Sequence, residues 1–298
     1  MMLSILTPTY NRSTCLPQIF KTLCQQTVAV FEWIIIDDGS DDDTEAIVAA
    51  WTKASAVSFP IRYRKKKNGG KHTAVNLGVQ MAHGELVLIL DSDDELPANA
   101  MEKITRRWLE SGVPATDATC GGLAFCMAHR NGHRITTIGR GQTQQPIKAD
   151  EIALRYQYGV RGDICEVFRT DVLREFPFPE QPGERFCPEQ LVWFRIAQKY
   201  KLYFYEEVVY CRDYLESGLT ANIVRIRMHS PVASCMTYAE MLGYTLPFAQ
   251  KVKAAVNYFR FRHCMQIRNE HNSMVPRISW PWLVFWPIGL AMHYRDKL

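Results

Sequence analysis

Residues 86–94 read Leu-Val-Leu-Ile-Leu-Asp-Ser-Asp-Asp, an unbroken apolar run that stops on an acidic cluster. Five consecutive apolar residues with no polar face suit a strand buried on both sides, as in a parallel sheet covered by helices. Two earlier segments are short, mostly apolar runs that also stop on polar clusters. Leu3 to Thr7 leads into Thr7-Pro8-Thr9-Tyr10-Asn11, and Phe31 to Asp37 (FEWIIID) leads into Asp37-Asp38-Gly39-Ser40. Between these strands the spacing becomes helical. Leu16, Ile19, Phe20 and Leu23 share one face of a helix that Ser13 is placed to cap, Ile47, Val48 and Trp51 mark a second, and His72 to Ala82 forms a third. Ile61 to Arg64 adds a strand. This alternation predicts one half of a doubly wound α/β fold, which binds ligands at the carboxyl ends of its strands. The three polar clusters gather there.

Beyond residue 110 the pattern changes. Gly121 to Ala128 followed by Asn131-Gly132 predicts a strand and turn, Ile164 to Phe168 and Leu202 to Tyr205 are further strands, and Glu189 to Tyr200 is a helix. From Ser230 to about Asn269 the spacing is mostly helical, with Pro231 and Pro247 as breakers. The chain has 298 residues, 47% apolar and 22% charged, with a net charge of +4. That composition excludes a disordered or fibrous chain, and the small basic excess gives no case for nucleic-acid binding. The nine cysteines are odd in number and scattered, without a C-x-x-C pair, which predicts reduced core thiols and no disulfide or zinc framework. With no signal-peptide pattern at the N-terminus, the expected location is cytoplasmic. The eight histidines show no H-x-x-x-H spacing, and neither a G-x-S-x-G elbow nor a Walker A loop is present.

The spacing of Asp91 and Asp93 has a physical logic. In an extended chain, residues i and i+2 project to one side, so the two carboxylates converge and repel unless a cation relieves them. Oxygen-only ligands favour Mg²⁺ or Mn²⁺, and a site with few protein ligands leaves room for phosphate oxygens.

The ordered set Thr-Pro-Thr-Tyr-Asn-Arg (residues 7–12), Asp-Asp-Gly-Ser (37–40) and Leu-Asp-Ser-Asp-Asp (90–94) resembles the family-2 glycosyltransferases of the GT-A fold, closely to about residue 97 and more loosely to about 215. Phe186 to Trp193 (FCPEQLVW) is similar to a later element of bacterial members that build surface polysaccharides. The resemblance implies a mostly parallel sheet with helices on both faces, a nucleotide-sugar half over 1–110, an acceptor half over 111–215 and a C-terminal helical extension over 216–298. It implies that Pro8, Thr9 and Tyr10 line the nucleotide site, with Asp38 accepting from a base, usually uracil. Lys71 would lie near base or phosphates, or be a solvated lysine beside Lys65, Lys66 and Lys67. Asp91, with Ser92, would serve ribose or the metal's surroundings, and Asp93 would hold Mn²⁺ or Mg²⁺ against the diphosphate.

The reaction implied is direct displacement with inversion, from a donor such as a UDP-sugar to a hydroxyl of a saccharide or lipid-linked saccharide. A carboxylate must take that hydroxyl's proton. In the family the base commonly lies in an acidic pair opening a later helix. The matching stretch here is Pro188-Glu189-Gln190, so Glu189 is the candidate, with Asp163 and Glu166 in reserve. Glu189 otherwise simply favours the start of its helix, and Trp193 is either core or a stacking platform for the acceptor. Ile278 to Met292 holds Trp280, Trp282 and Trp286. Its length, about 22 Å at ~1.5 Å per residue, is too short to span a membrane. It fits a segment lying in the headgroup interface, with packing on the protein's own core or on a dimer partner as the alternative. Two other functions stand beside the transferase: a sugar-1-phosphate nucleotidyltransferase, which would want a Gly-rich basic loop after the first strand, and a non-catalytic binding or membrane-docking protein.

Overall fold

A computed structural model describes residues 3–53, 57–112, 117–139, 146–213, 222–267 and 274–296. The chain forms two compact units, one from Met1–Pro177 with Ile196–Asp213, the other from Phe178–Arg195 with Tyr214–Leu298.

The first unit is built on one sheet. Its described strands are β1 (Leu3–Thr9), β2 (Phe31–Asp37), β3 (Ile61–Lys65), β4 (Leu86–Ile89), β5 (Cys120–Ala128), β6 (Ile147–Ala149), β7 (Ile164–Arg169) and β8 (Lys201–Cys211). They lie in the order β3-β2-β1-β4-β7-β5-β8-β6. β3, β2, β1 and β4 run parallel. β7 enters antiparallel between β4 and β5, β8 is parallel to β5, and β6 pairs antiparallel to β8. The result is the expected mostly parallel α/β sheet.

Successive residues of each strand face opposite sides, and each side has its own helices. Leu3, Ile5, Phe31, Trp33, Ile35, Leu86 and Leu88 belong to one core with Leu16, Ile19 and Leu23 of α1 (Leu16–Cys24), Val48 of α2 (Thr44–Lys53), and Ala100, Met101, Ile104 and Trp108 of α4 (Ala100–Glu110). On the other side α3 (Lys71–Met81) rests on β1 and β2. Gly78 permits that approach, because a Cβ there would come within 2.1 Å of Leu6 Cδ1.

Several local expectations change. α1 begins one residue after Cys15 with no side-chain cap, so Ser13 does not cap it; the Ser13 amide instead donates to Asp42 Oδ2 at 2.9 Å. Asn131-Gly132 does close a turn, with the His129 amide donating to His133 O at 2.7 Å and one antiparallel bridge between Ala128 and Arg134. All nine cysteines are free, but Cys24 is exposed and Cys15 and Cys211 only partly covered, so the thiols are not uniformly core.

The second unit is helical where it is described, with helices at Ile223–His229, Pro231–Gly243 and Phe248–Ile267 and a tail of one 3-10 turn (Trp280–Phe285) and a helix (Trp286–Arg295). Pro231 opens its helix in the first turn, where its missing N–H costs nothing, and Pro247 separates two helices. The buried Glu184 carboxylate accepts from the amides of Val232 at 2.6 Å and Ala233 at 3.0 Å, capping that helix from a distant part of the chain. Trp193 is buried edge-on against Phe178, with ring centroids 5.7 Å apart, and so is a core residue. Among the described residues, no helix is long and apolar enough to cross a membrane.

Candidate active site

The carboxyl ends of β1, β2 and β4 lie together because β1 is hydrogen-bonded to both of the others. Pro8 and Thr9 are the last residues of β1, opposite Ile36 and Asp37, and the Asp38 amide donates to Thr9 O at 2.8 Å. Beyond Thr9 the chain turns through Asn11, a non-glycine residue at φ 50°. Asn11 holds that conformation by exchanging bonds with the neighbouring strand end. Its amide donates to Ser40 Oγ at 2.8 Å, and its Oδ1 accepts from the Asp41 amide at 2.9 Å. Tyr10, at the corner, is 44% exposed. Thr9 Oγ1 is buried with no hydrogen-bond partner, an unmet polar atom at the edge of the site.

Asp38 is buried, and its carboxylate organises the loop before α3. Oδ1 accepts from Lys66 Nζ at 2.7 Å and the Gly69 amide at 2.9 Å, while Oδ2 accepts from the Gly70 amide at 2.7 Å. These three bonds hold the carboxylate fixed at the end of β2. Gly39, at φ +87°, lets the loop close, since a Cβ would stand 3.0 Å from the Asn68 amide nitrogen. Lys71 opens α3 directly after this loop, and its Nζ reaches Asp91 Oδ1 at 2.5 Å. It is therefore an element of the acidic cluster.

The Asp91-Ser92-Asp93 segment, expected from its spacing to be extended chain, is bent instead. β4 ends at Ile89, and the Asp94 amide donates to Asp91 O at 3.1 Å, folding the segment into a turn. Tyr210 of β8 fastens that turn, accepting from the Asp91 amide at 3.0 Å and donating to Asp94 Oδ2 at 2.8 Å. Burial, and then the charge of Asp91, pushes the Asp94 carboxyl up to about 7 against the opposing pull of Arg212 and the Tyr210 hydrogen bond. Arg212 lies 4.0 Å from Asp94 and donates to Asp163 Oδ2 at 3.0 Å. Arg130 donates to Asp93 O at 2.5 Å and pairs with Glu95. The Asp93 carboxylate points toward solvent, with Arg12 Nη2 at 3.8 Å.

Thus Pro8, Thr9, Asp38, Lys71, Asp91, Ser92 and Asp93 come together at one edge of the first unit. Glu189 belongs to the second unit, where it is the exposed first residue of the helix Glu189–Ala197. Of the reserve carboxylates, Asp163 is held by Arg212 and Glu166 lies on β7. Arg12, Lys66, Arg130, Arg212 and Tyr210 complete the site without having been singled out in the sequence. Arg12 directly follows the TPTYN segment, and Lys66 stands in a run of three lysines whose exposed look conceals its bond to Asp38.

The donor chemistry fits a hard divalent cation. Asp91, Ser92 and Asp93 offer oxygen only, and among the described residues no cluster of three or more His, Cys, Asp or Glu side chains is able to enclose a metal. A cation at this turn would complete its shell with oxygens of water or of a ligand.

The family model described as "Glycosyl transferase family 2" matches residues 4–175. A GalNAc(5)-diNAcBac-PP-undecaprenol beta-1,3-glucosyltransferase of Campylobacter jejuni is 23% identical over 280 residues, covering 85% of each chain. An undecaprenyl-phosphate 4-deoxy-4-formamido-L-arabinose transferase of Sodalis glossinidius is 32% identical over 104 residues, 34% of this chain and 32% of that relative. Among solved structures, S. aureus TarS 1-349 in complex with UDP-GlcNAc superposes with a TM-score of 0.58 at 16% identity, covering 99% of this chain and 81% of TarS 1-349. A mannosyltransferase from Pyrobaculum calidifontis in complex with GDP-Man and Mn2+ superposes with a TM-score of 0.58 at 17% identity, covering 99% and 88%. These likenesses identify the fold as GT-A.

Proposed function

The chain belongs to glycosyl transferase family 2, and from that premise we propose that it transfers a sugar, with inversion, from a UDP-linked donor to a hydroxyl of a saccharide or lipid-linked saccharide in surface-polysaccharide synthesis. The observation that carries this reading is the meeting of three strand ends at one edge, where Asp91 and Asp93 stand beside Lys71 and Arg12. Complexes of the TarS and mannosyltransferase neighbours with UDP-GlcNAc and with GDP-Man and Mn2+ support a nucleotide-sugar donor. The undecaprenol-linked substrate in the name of the Campylobacter relative supports a lipid-linked acceptor.

In this proposal Pro8, Thr9 and Tyr10 border the nucleotide and Asp38 accepts from its base. Lys71 and Arg12 face the diphosphate with positive charge, Ser92 borders the nucleotide, and Asp91 serves the ribose or the metal's water shell. Asp91 and Asp93 would hold Mn²⁺ or Mg²⁺, which neutralises negative charge on the departing diphosphate. The acceptor oxygen attacks the anomeric carbon, the bond to the diphosphate breaks, and Glu189 takes the acceptor's proton. The division of labour is a donor half over 1–110, an acceptor half over 111–215 and a helical extension from 216.

Calorimetric titration of UDP tests the donor half, with Mn²⁺ and with chelator, in the wild type and in Asp93→Ala. Metal-dependent binding that vanishes in the variant is expected. Silence toward UDP, GDP and CDP alike would overturn the reading and favour a docking protein without catalysis.

A further inference from the structure

The tail of the second unit docks through one side only. Gly289 lies against Phe259 and Val256, His293 Nδ1 sits 3.1 Å from Arg260 O, and Asp296 pairs with the Arg260 side chain. The remaining surface of the tail leaves Trp280 80%, Val284 69%, Leu283 55%, Ile288 51% and Trp286 50% exposed. Phe248, 71% exposed at the start of the long helix, extends this patch, with its ring 6.2 Å from Trp282. Single exposed apolar residues are ordinary on a protein surface, whereas a contiguous patch containing two open tryptophans marks an interaction face.

The surrounding charge is one-sided. The segments 248–267 and 274–296 contain Lys251, Lys253, Arg260, Arg262, Arg277 and Arg295 but a single acid, Asp296, which is paired with Arg260. Arg262 and His263 line one small pocket together with Phe259 and Trp286, so a cation borders the ring that the patch exposes. A second copy of the chain meeting this face about a two-fold axis would set like charges opposite one another. Anionic lipid meets the same charges favourably, and tryptophan prefers the headgroup boundary, where its ring is buried and its N–H stays wet.

We propose that this face docks on a bilayer surface carrying anionic phospholipid. Trp280, Leu283, Val284, Trp286 and Ile288 enter the boundary between headgroups and acyl chains, and Arg262 and Arg277 meet headgroup phosphates. Docking is argued from this surface alone; its use, access to a lipid-linked acceptor, rests on the reaction proposed above.

The test is sedimentation of the full chain with vesicles of phosphatidylcholine, with and without phosphatidylglycerol. Partition at least about tenfold stronger onto the anionic vesicles is expected, falling as salt is raised. Acyl-brominated lipid should quench the tail tryptophans. The double variant Trp280→Ser/Trp286→Ser should bind vesicles about tenfold or more weakly while retaining the wild-type thermal midpoint. Arg262→Glu/Arg277→Glu, which leaves the apolar face intact, should lose only the preference for anionic lipid. Vesicle binding absent in the wild type, or unchanged in both variants, overturns the proposal. So does a wild-type dimer that Trp280→Ser/Trp286→Ser dissolves, because a second copy would then cover the face. UDP binding measured on the same samples separates this outcome from failure of the transferase reading, since vesicle binding requires no nucleotide.

Discussion

At the residue scale, the two carboxylates of the acidic turn differ in what holds them. Asp91 is paired closely with Lys71, whereas Asp93 has Arg12 only at 3.8 Å and is partly exposed. Asp93→Ala should therefore change stability by no more than about 0.5 kcal/mol while abolishing metal-dependent UDP binding. Melting curves and titrations on one preparation read both. Glu189→Gln should leave UDP affinity intact and lower turnover by ~10²–10⁴-fold, the usual contribution of a general base. Retained turnover would move the role to another carboxylate. A third residue responds to acid. Burial pushes the Asp42 carboxyl up, but bonds from Thr44 and Ser13 outweigh it and hold it at about 2 against an ordinary 3.8. Such a group contributes stability above its ordinary value and loses that contribution as pH falls through about 4 to about 2. The gap in melting temperature between wild type and Asp42→Asn should close over that window, and a constant gap would contradict the assignment.

At the scale of elements, two close approaches carry predictions. A Cβ on Gly289 would stand 2.6 Å from Val256 O and 2.5 Å from Phe259 Cβ, and backbone yields poorly. Gly289→Ala should loosen the tail helix despite the higher helix propensity of alanine, seen as faster proteolysis within Trp286–Arg295 and an unchanged sheet core. Glu184→Ala removes a buried cap from two amides of the helix Pro231–Gly243 and should cost about 1–3 kcal/mol by thermal melting. Elements were legible in the sequence where a period was long and clean. The strands ending at Thr9, Asp37 and Ile89 stood out because burial on both faces makes them mostly apolar, and the two polar residues that interrupt their apolar runs, Ser4 and Glu32, are bonded to each other across β1 and β2. Helix α4 has an equally regular stripe in Ala100, Met101, Ile104 and Trp108, but its other positions are mostly charged and its eleven residues hold the stripe for only three turns. The three-residue β6 and the six-residue helices at Glu151–Tyr156 and Thr170–Glu175 are too short to establish any period. The antiparallel entry of β7 was hidden for another reason: a strand buried between two neighbours is apolar whichever way it runs. The site shows the same division. Its carboxylates announced themselves by position at strand ends, whereas Tyr210 of β8 and Arg212 just after it reach the acidic turn from more than a hundred residues later, and only folding reveals that proximity.

For the whole molecule, all of the candidate nucleotide contacts lie in the first unit and the apolar tail lies in the second. UDP with Mn²⁺ at about 100 times its dissociation constant should stabilise what it binds by about 2.7 kcal/mol. Hydrogen exchange should show added protection over β1 to β4 and none over Phe248–Ile267 if the units open separately. Equal protection throughout would mean that they open together. The division also has a bearing on synthesis. Residues 178–195 belong with a segment that begins only at Tyr214, so Glu184 leaves the ribosome before the helix Pro231–Gly243, whose amides it caps, exists. Roughly 60 residues separate Glu184 from Gly243, the end of that helix. At ~5–20 residues per second that leaves a window of roughly 3–12 s in which an acid buried in the finished fold is exposed to chaperones and proteases. A nascent chain that stalls within that interval offers the quality-control machinery a ready handle.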